Sequence, residues 1–161
     1  MDKKMLSALN KQINAELYSA YLYLSMSAYF ESVNLPGAAH WMRAQAGEEQ
    51  THAMKFYKFI CERRERVSLI AIEGPQQEWN SALAVFEEAF AHEQKVTKMI
   101  HNLMVIALEV KDYATQSLLK WFIDEQVEEE ANADEIVQKL KMIGDNNAVV
   151  LALDQELGKR E

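Results

Sequence analysis

The sequence predicts an all-α protein: a four-helix bundle with one long crossover and a short fifth helix at its C-terminal end. Three observations carry that prediction. Glycine and proline are scarce, five and two in 161 residues, so few positions can interrupt a helix. Apolar residues recur three and four apart over four long stretches, the spacing of one helix face. The segment that breaks this pattern, VSLIAIEGPQQEW at 67–79, combines β-branched residues with a Gly74-Pro75 dipeptide and reads as an extended connection.

The elements follow in order. Residues 4–32 are helix formers ending at Asn34-Leu35-Pro36-Gly37, where a proline suits the first turn of the next helix. A second helix is expected over 37–65, and the 67–79 segment then crosses over. A third helix is expected over 80–110, a turn at the polar VKDYA, and a fourth helix over 113–143. Gly144 with Asp145-Asn146-Asn147 supplies a C-cap and a new N-cap before a fifth helix, Ala148 to Leu157. Two long hairpins joined by a crossover make a bundle with an overhand connection, and residues 1–161 are expected to form a single domain.

Composition narrows the function. The 25 acidic residues outnumber 17 basic ones, for a net charge of −8, which argues against nucleic acid as the main partner and favours cations. A lone cysteine, Cys61, excludes an internal disulfide framework and suits a reducing compartment. The N-terminal MDKKMLSALNKQINAE has no apolar signal region, and no later run approaches the roughly 20 apolar residues of a membrane span. A cytoplasmic protein without a membrane partner is expected.

Each core stripe is breached by a carboxylate. Leu9, Ile13, Glu16, Ala20 and Tyr23 run along the first helix; Met42, Ala46, Glu49, Ala53 and Phe56 along the second. Phe86, Phe90, Glu93, Thr97 and Ile100 run along the third; Phe122, Gln126, Glu129 and Ala133 along the fourth. The breaches lie at matching heights. Glu49 follows Glu16 by 33 residues, as Gln126 follows Glu93, so each hairpin brings its polar pair level, roughly two dozen ångströms from its turn. His52 and Glu129 lie three residues past Glu49 and Gln126 and reach the same level from the next turn. Buried charges persist only when paired or bound to metal, so Glu16, Glu49, His52, Glu93, Gln126 and Glu129 are the candidate ligands. Carboxylates with one imidazole suit iron or manganese, and a bridging carboxylate allows two metals within about 4 Å.

These residues resemble the ferritins, specifically the bacterial non-haem ferritins, over nearly the whole chain. Related di-iron bundles carry a second Glu-x-x-His, where this sequence has Gln126-Val127-Glu128-Glu129, the ferritin form rather than that of bacterioferritin or rubrerythrin. Gln50 stands where bacterioferritins carry a haem-ligating methionine, so no haem is implied. The resemblance implies that Glu16 and His52 hold one iron, Glu93 and Glu129 a second, and Glu49 bridges them, with Gln126 hydrogen-bonding to dioxygen or water. A third iron position is implied for Glu48, Glu125 and Glu128, shared with Glu129; a solvated helix face is the plainer account of the outer three. Tyr23 matches the tyrosine beside the family's centre, where it can hydrogen-bond or donate an electron, with a packed core tyrosine as the alternative. Trp121 reads first as core.

The resemblance further implies ferroxidation: two Fe(II) ions and dioxygen react, and Fe(III) passes to a mineral inside a homo-oligomeric shell of 24 subunits. The terminal helix AVVLALDQEL and the strand-like VSLIAI match the family's segments at the fourfold axes and at the twofold loop contact. The acidic pair lining animal threefold channels does not carry over, since Gln116 and Leu119 stand there. His40, His92 and His101 are expected on the surface or in packing, and the eight methionines as core filler. A rubrerythrin-type oxidase would share the bundle but should keep the second histidine. A non-catalytic assembly protein would use its inward carboxylates to bind structural metal or to pair with lysine, and no lysine falls on the four stripes at the layer.

Overall fold

The computed structural model describes residues 1–144 and 146–160. It contains α1 (Lys3–Ser32), α2 (Pro36–Glu62), α3 (Ala82–Glu109), α4 (Tyr113–Ile143) and α5 (Asn147–Leu157). The first pair packs as one hairpin and the second as another, α1 lies against α3, and α5 docks on α2 and α4. Among the described residues there is no strand, and no helix is long and apolar enough to cross a membrane.

Local chemistry sets the helix ends. Asp2 accepts the amides of Lys4 and Met5, Ser81 that of Ala84, and Asp112 that of Thr115, each a side-chain N-cap. α2 stops at Glu62, three residues short of expectation. Arg64 turns to φ 57° and the Glu65 amide bonds back to the Ile60 carbonyl at 3.1 Å, closing the last turn as a left-handed cap. Asn34 and Lys111 do the same after α1 and α3. α4 ends at Gly144, and Asn146 caps α5 through the Val149 amide. Asp145, the first of the expected capping run, lies outside the described residues.

The crossover has no secondary structure and lies along α1. Asn10 Oδ1 accepts the Ser68 amide at 2.7 Å, Asn14 Nδ2 donates to the Ala71 carbonyl at 3.1 Å, and Ser25 Oγ donates to the Gln76 carbonyl at 2.6 Å.

The apolar core is split in two. One cluster includes Tyr23, Met26, Phe30, Trp41, Met42, Phe86 and Leu140. The other includes Leu9, Ile13, Phe56, Ile60, Ile100 and Phe122, with Phe56 and Phe122 stacked at 4.0 Å between ring centroids. Between the two clusters lies a layer of buried polar side chains from all four long helices, and it is this layer that the stripe breaches predicted.

Candidate metal centre

All six predicted ligands fall in that layer. Glu16, Glu49, His52, Glu93, Gln126 and Glu129 are each between 1% and 4% exposed. Each occupies a core-facing position in mid-helix, where backbone hydrogen bonds are already complete and apolar neighbours above and below hold the helices together. The polar side chains therefore stay inward because the clusters on either side fix the rotation of each helix.

Ligand-capable atoms of Glu16, Glu49 and His52 lie within 4.8 Å of one another, and so do those of His52, Glu125 and Glu129. His52 faces both groups: its Nδ1 is 3.5 Å from Glu49 Oε2 and its Nε2 is 3.8 Å from Glu125 Oε1. Glu93 joins neither group among the described residues. The Tyr23 hydroxyl donates to Glu93 Oε1, and Gln126 Nε2 donates to Glu93 Oε2 at 3.1 Å. Tyr23, 1% exposed, is thus packed in the core with its hydroxyl bonded to the layer.

The electrostatics of the layer are dominated by burial. Burial above all, and then the Glu49 charge, pushes the Glu16 carboxyl well above the ordinary range. Burial and then Glu93 push Glu49 up in the same way, and push Glu129 to about 8. Glu93 is raised by burial although Tyr23 and Gln126 bond to it. Among the described residues no lysine or arginine is ion-paired with any of these four groups, so no ammonium or guanidinium is in place to neutralise the layer. Protons or metal cations must do so.

The outer positions divide. Glu125 is half-buried beside His52. Glu48 is taken by Arg160, whose Nη2 lies 2.5 Å from Glu48 Oε2 while the guanidinium stacks on Trp41 at 4.4 Å. Glu128 is exposed and belongs to no ligand group. Of the three expected outer ligands, only Glu125 belongs to a ligand group among the described residues.

Trp121, expected in the core, sits at the rim, 37% exposed, with its ring centroid 5.4 Å from that of His52 in an edge-on arrangement and Lys55 Nζ over its face. Its neighbour Phe122 takes the inward position on that turn. His92 takes the packing role: it bonds to Ser19 Oγ at 2.8 Å between the rings of Tyr18 and Tyr23. Burial, with Lys95 nearby, lowers its pKa to about 4. His40 bonds to the Arg160 carbonyl, and His101 is exposed. Leu119 is fully buried and Gln116 bonds to the Ala107 carbonyl, so neither offers an acidic channel lining.

Two residues of the layer escaped the stripe pattern. Gln12 Nε2 donates to Glu16 Oε1 at 2.8 Å, and Gln45 Nε2 donates to Glu129 Oε2 at 2.6 Å and Glu49 Oε1 at 3.3 Å. A signal was present, since each stands four residues before a core glutamate and the two are 33 residues apart like the glutamates themselves. A glutamine one step off an apolar stripe nonetheless reads as solvated.

Comparison with known proteins agrees with this geometry. The family profile for the ferritin-like domain matches residues 6–143. A bacterial non-haem ferritin of Bacteroides fragilis is 43% identical over 160 residues, covering 99% of both chains. Another, of Staphylococcus saprophyticus, is 41% identical over 160 residues, covering 99% of this chain and 96% of the relative. Among solved structures, an open pore ferritin from the hyperthermophilic archaeon Archaeoglobus fulgidus superposes with a TM-score of 0.99 at 53% identity, covering 100% of this chain and 98% of the other. Likeness of that extent, in sequence and in fold together, makes the chain a member of the ferritin family, and iron storage with ferroxidase activity is the function that fits it.

Proposed function

We propose that this chain binds two Fe(II) ions in the buried layer, transfers their electrons to dioxygen there, and stores the resulting Fe(III) as an oxyhydroxide mineral inside a shell of 24 copies. One observation carries the reading: four buried carboxyls and an imidazole converge at one level, and among the described residues no lysine or arginine is ion-paired with them.

Iron is the substrate and the cargo. Glu16, Glu49 and His52 supply the first position, with Glu49 shared; Glu129 and Glu93 supply the second, reached when Glu93 gives up its bonds to Tyr23 and Gln126. Proton release from the raised carboxyls accompanies cation binding, so the site exchanges protons for iron and remains close to neutral. Each of two Fe(II) ions loses one electron, dioxygen gains both, and two protons complete the reduced oxygen product as peroxide. Tyr23 holds Glu93 and is near enough to give an electron. The freed Gln126 amide can hydrogen-bond to dioxygen or to water.

A third iron would lie at Glu125 and Glu129, with Glu48 and Glu128 completing it. A cation recruiting Glu48 must displace Arg160. The exposed apolar residues of the crossover, Leu69, Ile70 and Ile72, and of α5, Val149 and Leu151, support burial against other copies of the chain. The exposed Gln50 supports a haem-free protein. Residues 1–161 would act as one unit in the cytoplasm.

The test is aerobic Fe(II) addition to the Glu49→Ala, His52→Ala double variant. The initial oxidation phase should slow about a hundredfold or more, the loss expected when first-position ligands go. An unchanged first phase would sink the site assignment.

A further inference from the structure

Every core glutamate of the layer accepts an N–H from a buried glutamine. Gln12 bonds to Glu16, Gln45 to Glu49 and Glu129, and Gln126 to Glu93. Gln45 is the most demanding of the three. It is 1% exposed, it spends its amide nitrogen on carboxyls from two different helices, and its own carbonyl oxygen is buried with no partner.

That unpartnered oxygen argues against simple packing. A buried polar atom without a partner is costly, and leucine or methionine would fill the same space without it. The position is therefore occupied for what the amide nitrogen does. Its partners must be bonded by something neutral. A lysine would satisfy both carboxyls but would also supply the positive charge that an arriving cation is meant to bring, and would compete with it. An amide orients an oxygen without cancelling the charge.

Resting on the di-iron reading above, we propose that Gln45 is a positioning residue for iron uptake. Its amide turns Glu49 Oε1 and Glu129 Oε2 toward itself and leaves Glu49 Oε2 and Glu129 Oε1 to meet the metal. Gln12 does the same for Glu16, where Oε1 is held and Oε2 is buried without a hydrogen-bond partner. The two glutamines occupy equivalent places, one turn before the glutamate on each helix of the first hairpin, an arrangement that an i, i+4 side-chain pair makes direct. The second hairpin has no counterpart, because Ala89 and Phe122 stand at the equivalent positions. Gln45 therefore has to serve Glu129 on α4 across the bundle as well as Glu49 on its own helix.

The experiment uses the assembled protein and Co(II), which binds without being oxidised and reports its ligand geometry in visible absorption. In Gln45→Leu, and in Gln45→Met as a second apolar variant should the first fail to assemble, the number of Co(II) bound per chain should be unchanged. The affinity should fall about tenfold, the usual consequence of losing an outer hydrogen-bond partner of a ligand, and the visible bands should shift. Fe(II) oxidation should need about tenfold more Fe(II) for half-maximal rate while the limiting rate stays within about threefold, the pattern of weakened binding rather than weakened chemistry. Wild-type Co(II) affinity and spectrum in the apolar variants would overturn the proposal. Glu49→Gln is measured alongside to separate the two ideas. If it loses Co(II) binding while the Gln45 variants keep it, the ligands are right and the positioning role is wrong; if it too binds as wild type, the ligand assignment fails and takes the positioning role with it.

Discussion

Glu129 shows what burial does to one residue of this protein. Its carboxyl, pushed up to about 8 by burial and then by Glu93, is protonated in the folded chain at pH values where the unfolded chain, with a glutamate near about 4.3, has released that proton. The contribution of Glu129 to stability is therefore complete below about pH 4.3 and is lost as pH rises through about 8. In the absence of metal, the thermal midpoint should fall between pH 5 and pH 8 by roughly 3 °C or more further in the wild type than in Glu129→Gln, which has no proton to lose. Equal falls in the two proteins would show that Glu129 does not carry the shift. At this scale the sequence was informative wherever a charge interrupted an apolar stripe, because only a buried site explains four such interruptions at one height. Glu16, Glu49, Glu93 and Glu129 were legible for that reason. Gln12 and Gln45 were not, because an uncharged side chain beside a stripe costs nothing if it faces water. Trp121 was placed in the core on its hydrophobicity alone, although Phe122 holds the core stripe on that turn and stacks on Phe56.

At the scale of the element, the docking of α5 on α2 rests on a contact between residues far apart in sequence. Leu35, which precedes α2, has no side chain able to cap it, and the missing acceptor comes from far along the chain. Asp154 of α5 accepts the amides of Gly37 at 3.1 Å and Ala38 at 2.8 Å, so a carboxylate sits at the positive end of α2. The approach is so close that a Cβ on Gly37 would lie 1.7 Å from the Asp154 carbonyl oxygen. Gly37→Ala should therefore cost about 1–3 kcal/mol through overpacking, and Asp154→Ala about 1 kcal/mol through loss of the cap. Both are read as thermal midpoints, at about 2–4 °C per kcal/mol for a chain of this size. A Gly37→Ala protein as stable as wild type would mean that α5 is not held against α2 in this way. Helix boundaries themselves were legible to within about three residues because caps and turn residues are local. The Asp154 cap was not, since nothing in the neighbourhood of Leu35 points to a residue more than a hundred positions away.

At the scale of the molecule, the bundle followed from hydrophobic period and from the scarcity of helix breakers, and the level of the polar layer followed from equal hairpin spacing. What the chain leaves unsatisfied is equally instructive. The VSLIAI segment has strand-like composition but forms no strand within the described residues, because a strand needs an edge and a helical bundle has none to offer. Leu69, 66% exposed, and Ile70, 60% exposed, remain available to a second copy of the chain, as do Val149 and Leu151 on α5. In the proposed function a shell that buries those surfaces would leave the layer inside each bundle untouched, so oxidation would belong to the subunit and storage to the assembly. The most direct test of that division is anomalous diffraction at the iron edge from crystals of the assembled protein exposed to Fe(II). The account predicts two strong iron peaks inside every bundle, one between Glu16, Glu49 and His52 and one beside Glu129 within about 4 Å of it. Iron found only on the shell's surfaces, with the layer of every bundle empty, would contradict it.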